Sequence, residues 1–381
     1  MASHRVIASE IRVGQPLPWN VFDANGLLLL RRGAVIDTQR ALDRLVEDGL
    51  FLNEKDSSQY RDSQPSKPPE PEKPSALQLL MDARRLFGLP IQDLSAVRDF
   101  PARIRRIAQL VDQACETNAD VSIATIHLLQ DHSYTVRHHI NTAIIANLIC
   151  KAMSVPDDRA QQVTAAALTM NVSMYEVQDK LNEVKGPLND KLKSLIAAHP
   201  EQSEQRLRKL GVEDPLWLKC VEHHHECENG AGYPKGIAGD DIEQGAKIIS
   251  LADRYCAQVS VRNYRTTRAP GIVLKDIYTE KGAEINSTVA AYLIRIVSIY
   301  PPGTIVRLRN GEVAVVVEPS GDPDGPVAYT VLGASGAAMG VPTMRRTSRD
   351  EYKITDVLTI DKVDFPIQMS RLWGNEAKIG H

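Results

Sequence analysis

Three consecutive histidines, His223-His224-His225, run straight into Glu226-Cys227-Glu228-Asn229-Gly230-Ala231-Gly232-Tyr233-Pro234. Imidazole binds divalent metals as a neutral ligand near pH 7. The glycines of the segment allow positive φ and its proline fixes the exit, so these imidazoles stand at the mouth of a rigid turn. The plain alternative is a solvated, histidine-rich helix end. Three further candidate ligands, His138, His199 and Asp253, lie in helix-forming sequence. With His224 and His225 they fall on four predicted helices, and a bundle can aim such side chains into one shared pocket. Nitrogen and carboxylate donors suit iron, manganese, zinc or nickel better than calcium.

Helical periodicity, which must position these groups, runs almost unbroken from Ser75 to about Tyr300. Predicted helices cover 75–87, 103–114, 121–129 (with Asp120 as cap) and 134–153, the last carrying His138. Another opens at Pro156, a residue suited to a first turn. Segments 188–199 and 201–210 follow as two helices, and 216–228, behind Pro215, carries the three histidines. Helices over 246–259, 272–281 and 287–298 close the set, Asp253 lying on the first. The predicted fold class is mainly α, a helical bundle over 77–301. Ahead of it, 1–52 is a small α+β unit with a hairpin around Asp23-Ala24-Asn25-Gly26 and a helix capped by Thr38. Between them, 53–76 is a Pro/Ser-rich linker. After the bundle the period switches to two, and 302–381 is a β-rich extension with strands over 303–308 and 312–317 around Arg309-Asn310-Gly311, and a third over 327–332.

The 381 residues suffice for two or three domains, and 43% hydrophobic with 24% charged residues is ordinary for a globular protein. A formal net charge of −3 gives no global basic field for a nucleic acid polymer or an anionic membrane. Five scattered cysteines with no C-x-x-C pairing point to free thiols in a reducing compartment. No signal-peptide pattern and no membrane-length apolar run is present, so the expected location is cytoplasmic.

In order and context these segments resemble the HD-GYP family, a helical subset of the HD metal-dependent phosphohydrolases. The matching residues are Tyr134-Thr135-Val136-Arg137-His138, Ala198-His199-Pro200, His224-His225-Glu226 through Gly230-Ala231-Gly232-Tyr233-Pro234, Ala252-Asp253-Arg254-Tyr255 and Arg262-Asn263-Tyr264-Arg265. The resemblance implies hydrolysis of cyclic di-GMP with two or three metal ions. It assigns metal ligation to His138, His199, His224, His225 and Asp253, and phosphate binding to Arg262 and Arg265. Gly232, Tyr233 and Pro234 are further candidate ligand-binding residues, and Tyr233 and Pro234, read as an exposed rigid edge, would contact a nucleobase or a signalling partner protein.

The departures from the family pattern fall where they matter most. Met170-Asn171 stands in place of the adjacent His-Asp pair, Asn229 in place of a loop Asp and Cys256 in place of a helix Asp. Two divalent cations about 4 Å apart repel by roughly 16 kcal/mol at an effective dielectric of about 20. A bridging carboxylate and hydroxide offset that repulsion. Asn171 carries no charge, and the Met170 thioether is a soft donor poorly matched to iron or manganese. The expected centre therefore holds one divalent ion (Fe, Mn or Zn) on His199, His224 and His225, which the resemblance assigns mainly to the second metal, or none. No catalytic residue is assigned. The expected function is a degenerate HD-GYP domain in cyclic di-GMP signalling that binds nucleotide or partner without efficient hydrolysis. A metal-dependent phosphodiesterase releasing pGpG or GMP, and a non-catalytic scaffold, are the alternatives.

Overall fold

The computed structural model describes residues 4–5, 11, 13–17, 19–23, 27–38, 40–42, 51–52, 73–92, 94, 97–181, 189–261, 267–280, 283–319 and 325–379. The chain divides into two compact units, Met1–Lys73 and Pro74–His381. In the first, β1 (His4–Arg5), β2 (Val21–Phe22), β3 (Leu28–Leu30) and β4 (Phe51–Leu52) form a sheet of order β1-β4-β2-β3. Val21 pairs with Leu30 and Phe22 with Leu28, the hairpin expected from the turn residues, although Ala24–Gly26 lie outside the described residues. Ile11, Leu17, Trp19, Val21, Ile36 and Leu42 make its core. Thr38 accepts from Ala41 N–H as the expected cap, while the rest of that helix lies outside the described residues, as does the linker over 53–72.

The second unit is helical up to residue 297. Its helices are α1 (Ala76–Gln92), α2 (Phe100–Thr117), α3 (Ala119–Leu128), α4 (Tyr134–Ala152), α5 (Asp157–Thr169) and α6 (Tyr175–Leu181), followed by α7 (Asp190–Lys209), α8 (Pro215–His223), α9 (Gln244–Val259), α10 (Pro270–Glu280) and α11 (Ser287–Val297). Short polar side chains start most of them: Asp99, Asn118, Ser133, Asn189, Asp214 and Asn286 each accept an orphan backbone N–H. For α3 the cap is Asn118, with Asp120 in the first turn. α4 is the central helix, buried on nearly every face and packed by α2, α5, α9 and α11. Arg84 on α1 is fully buried and ties three elements together. Its guanidinium donates to Asp131 at 2.5 Å, to Asn141 at 3.1 Å and to the Thr125 carbonyl at 3.4 Å.

Two helix boundaries differ from expectation. The segments 188–199 and 201–210 are one helix, α7, which runs through Pro200. Proline removes one hydrogen bond but does not end a helix held by packing on both sides. The helix expected over 216–228 stops at His223, because the following loop doubles back on it, Tyr233 N–H bonding the His225 carbonyl at 3.1 Å.

β5 (Ile305–Leu308), β6 (Val313–Glu318), β7 (Val327–Leu332), β8 (Met344–Arg346) and β9 (Ile354–Leu358) form an antiparallel sheet of order β8-β7-β6-β5-β9, followed by a short helix α12 (Met369–Trp373). Gly311, with φ of 90°, closes the expected β5–β6 turn. β8, β9 and α12 were not anticipated. Alternate residues of β6 serve two cores: Val313, Val315 and Val317 join the apolar core of the bundle, and Ala314 and Val316 join Val306, Leu308 and Ala328 on the other face. The β-rich segment is thus packed into the helical unit.

Candidate metal centre

His199 sits midway along α7, and His224 and His225 lie just past the end of α8. Their ligand nitrogens all fall within 4.8 Å of one another, the one group of three or more potential metal ligands among the described residues. His199 and His224 are 1% and 0% exposed. The Nδ1 of His199 lies 2.5 Å from the Ile196 carbonyl and that of His224 lies 2.6 Å from the Val221 carbonyl. A carbonyl only accepts, so both Nδ1 atoms carry the ring proton. Both Nε2 atoms are then bare lone pairs, and they face each other at 3.2 Å. Two acceptors at that distance need an electrophile between or beside them. A proton is a poor candidate: burial, reinforced by neighbouring imidazoles, pushes His199 and His224 down to about 3, and burial pushes His225 down to about 4. A divalent cation fits, since nitrogens about 2.1 Å from an ion at tetrahedral angles stand about 3.4 Å apart. Backbone carbonyls on the far nitrogens are the outer partners that orient histidine ligands.

His138 and Asp253 face each other from α4 and α9. His138 Nε2 is 2.8 Å from Asp253 Oδ1, and Tyr134 stacks on the imidazole at 5.3 Å between centroids. Burial alone would raise Asp253, but the hydrogen bond from His138 and the field of the surrounding imidazoles hold it well below the usual carboxylate range. The five expected ligands thus form a trio and a pair. At the entry to α6, Met170 is fully buried in the apolar core, and Asn171 is 6% exposed with an Oδ1 that has no hydrogen-bond partner.

The loop after the histidines is a built element. A Cβ on Gly232 would lie 2.5 Å from Cys227 N, Glu226 Cα and the His225 carbonyl oxygen, so only glycine lets the loop close. Lys235 N–H bonds Glu226 Oε1 at 2.7 Å, and Lys235 Nζ reaches Glu222 at 2.7 Å. The Tyr233-Pro234 bond is cis. Tyr233 and Pro234 are half-buried, not the exposed edge expected: the Tyr233 ring stacks on His225 at 4.7 Å between centroids. Arg262 and Arg265 lie outside the described residues. The residues that sequence reasoning missed are those that hold the ligands. Asp179 anchors the first turn of α4 through Thr135 N–H and Oγ1 at 2.9 and 2.7 Å, and Glu226 pins the loop. Glu226 lies inside the segment that follows the histidines, which could have marked it, whereas Asp179 is far in sequence from the turn of α4 that it anchors.

The trio makes a pH prediction. In the unfolded chain its histidines titrate near 6.5; in the fold, burial holds them at about 3 to 4. Protons therefore bind the unfolded state first, and stability is present above pH 6.5 and lost as pH falls toward 4. The urea midpoint of chelator-treated protein is expected to drop between pH 6.5 and 5, before most carboxylates contribute. A flat midpoint across that window would show that the trio is not neutral and buried.

The profile of a family described as HD domain matches residues 107–289. The chain is 25% identical over 314 residues to the cyclic di-GMP phosphodiesterase PA4108 of Pseudomonas aeruginosa, covering 76% of this chain and 75% of that one. It is 29% identical over 150 residues to the 3'3'-cGAMP-specific phosphodiesterase 3 of Vibrio cholerae, covering 38% and 32%. Among solved structures, Bd1817, described as a HDG"Y"P protein from Bdellovibrio bacteriovorus, aligns with a TM-score of 0.49 at 15% identity, covering 77% of this chain and 99% of that one. No helix among the described residues is long and apolar enough to cross a membrane.

Proposed function

We propose that this chain is a protein of the HD-GYP family that acts in cyclic di-GMP signalling as a binding domain holding a single divalent ion, without efficient hydrolysis. The carrying observation is the pair of bare, buried Nε2 atoms of His199 and His224, 3.2 Å apart beside His225, in a domain whose position 171 is a neutral amide. His199, His224 and His225 would hold the ion, iron, manganese or zinc, which when bound supplies a Lewis acid able to polarise a phosphate oxygen. With His138 and Asp253 bonded to each other and no carboxylate at Asn171, a second ion lacks its bridging oxygen. Arg262 and Arg265 are proposed to fork onto the phosphates, and Gly232, Tyr233 and Pro234 to shape the ligand's edge or meet a signalling partner. The choice of cyclic di-GMP rests on the activity of the Pseudomonas aeruginosa relative.

Calorimetry with cyclic di-GMP on zinc- or manganese-loaded protein is expected to give binding heat, and prolonged incubation to give no linear dinucleotide. The absence of heat with and without metal would remove the receptor reading. A phosphodiesterase is the second reading, favoured by the retained His138–Asp253 pair; release of pGpG or GMP, abolished by Asp253→Ala, would establish it instead.

A further inference from the structure

We infer that Pro200 is a positioning residue, leaving the Ile196 carbonyl free to take the Nδ1–H of His199 and so fixing which ring nitrogen faces the metal centre. In an α-helix the carbonyl of residue 196 receives the N–H of residue 200. Proline has no N–H, and its ring crowds the carbonyl four residues back, turning it off the helix axis. α7 nonetheless runs on through Pro200 to Lys209, so the Ile196 carbonyl would be an orphan acceptor in mid-helix. Instead it lies 2.5 Å from His199 Nδ1. With the proton committed there, His199 presents a bare Nε2 to His224 Nε2 at 3.2 Å.

The same arrangement occurs at His224 by another route. α8 ends at His223, so the Val221 carbonyl is among the last four that a helix leaves without a backbone donor, and it lies 2.6 Å from His224 Nδ1. In both cases the ring reaches back three residues to a carbonyl released from the helical ladder. On the unbroken α4, by contrast, His139 Nδ1 reaches back four residues, to the Thr135 carbonyl at 2.7 Å, and takes no part in the trio. A carbonyl within an unbroken helix can thus meet a ring nitrogen too; what the interruption adds, by proline in one helix and by termination in the other, is a carbonyl three residues back that the ring need not share with a helical N–H.

The metal part of this inference rests on the one-ion reading; the tautomer part does not. Pro200→Ala restores the N–H that competes for the Ile196 carbonyl. Two-bond proton–nitrogen correlation spectra of the histidine rings, recorded on metal-free protein, are expected to show His199 as the Nδ1–H tautomer in the parent and as a mixture of tautomers in the variant. Thermal unfolding is expected to hold or rise, since alanine suits a helix interior better than proline. The zinc dissociation constant, read by chelator competition, is expected to rise about tenfold, the scale of losing an outer partner of a ligand. A variant that keeps the Nδ1–H tautomer, whatever its unfolding midpoint, would overturn the inference. Zinc binding absent from the parent as well would defeat the one-ion reading alone, and the tautomer spectra would still decide the role of Pro200.

Discussion

His224→Ala is expected to abolish stoichiometric metal binding. The side chain is fully buried, its Nε2 is 3.2 Å from that of His199, and its centroid lies 4.2 Å from that of His225. Removing it leaves two imidazoles, too few to hold an ion against water at micromolar concentrations. Losing an outer partner lowers affinity about 10- to 100-fold, and losing a ligand should cost more than the upper end of that range. Equilibrium dialysis followed by elemental analysis should therefore move from one ion per chain to background. The fold should survive, because the substitution also separates two facing lone pairs; circular dichroism checks this. A variant that still carries a full equivalent of zinc would place the ion elsewhere and dissolve the proposed centre.

Met170→His with Asn171→Asp is expected to work in the opposite direction. The pair supplies the nitrogen ligand and the anionic bridge that this chain lacks. The bridge answers a repulsion of roughly 16 kcal/mol between two divalent ions about 4 Å apart. Metal content under manganese loading should rise from one to two, and conversion of cyclic di-GMP to the linear dinucleotide should increase by at least about 100-fold, the scale of restoring an electrostatic element of an active site. Without metal the double variant should be less stable than the parent, because Met170 is fully buried and Asn171 is 6% exposed, and a buried unpaired carboxylate costs several kcal/mol. Manganese should recover that loss. An unchanged metal count together with unchanged turnover would mean that the replaced pair is not what limits this domain.

Much of this arrangement was legible in the sequence. Periodicity located the amphipathic helix that carries Asp253, whereas the helix that carries His138 is buried on nearly every face and shows as a long stretch free of turn residues rather than as a stripe. The motif segments located the histidines. What periodicity does not encode is where a helix stops inside a packed structure. Pro200 looked like a boundary and is spanned; His223 looked like mid-helix and is the end. Both errors concern the trio, whose geometry depends on broken backbone hydrogen bonds. The stacking of Tyr233 on His225 also escaped, since it depends on a loop closing over Gly232. β9 was missed because its residues Ile354–Leu358 alternate poorly between apolar and polar, as suits an edge strand.

The two-sided character of β6 has a consequence for how this chain can vary. Side chains of a strand alternate faces with a period of two, so one inserted or deleted residue that no bulge absorbs would send the β6 side chains beyond it to the opposite layer. The valines now in the bundle core would then exchange with Ala314 and Val316 from the outer core, leaving one layer overfilled and the other hollow. Length changes are therefore accommodated in the turns that flank the strand or at the register shifts it already carries against β7, beside Val313 and Glu318, and not between Ala314 and Val316.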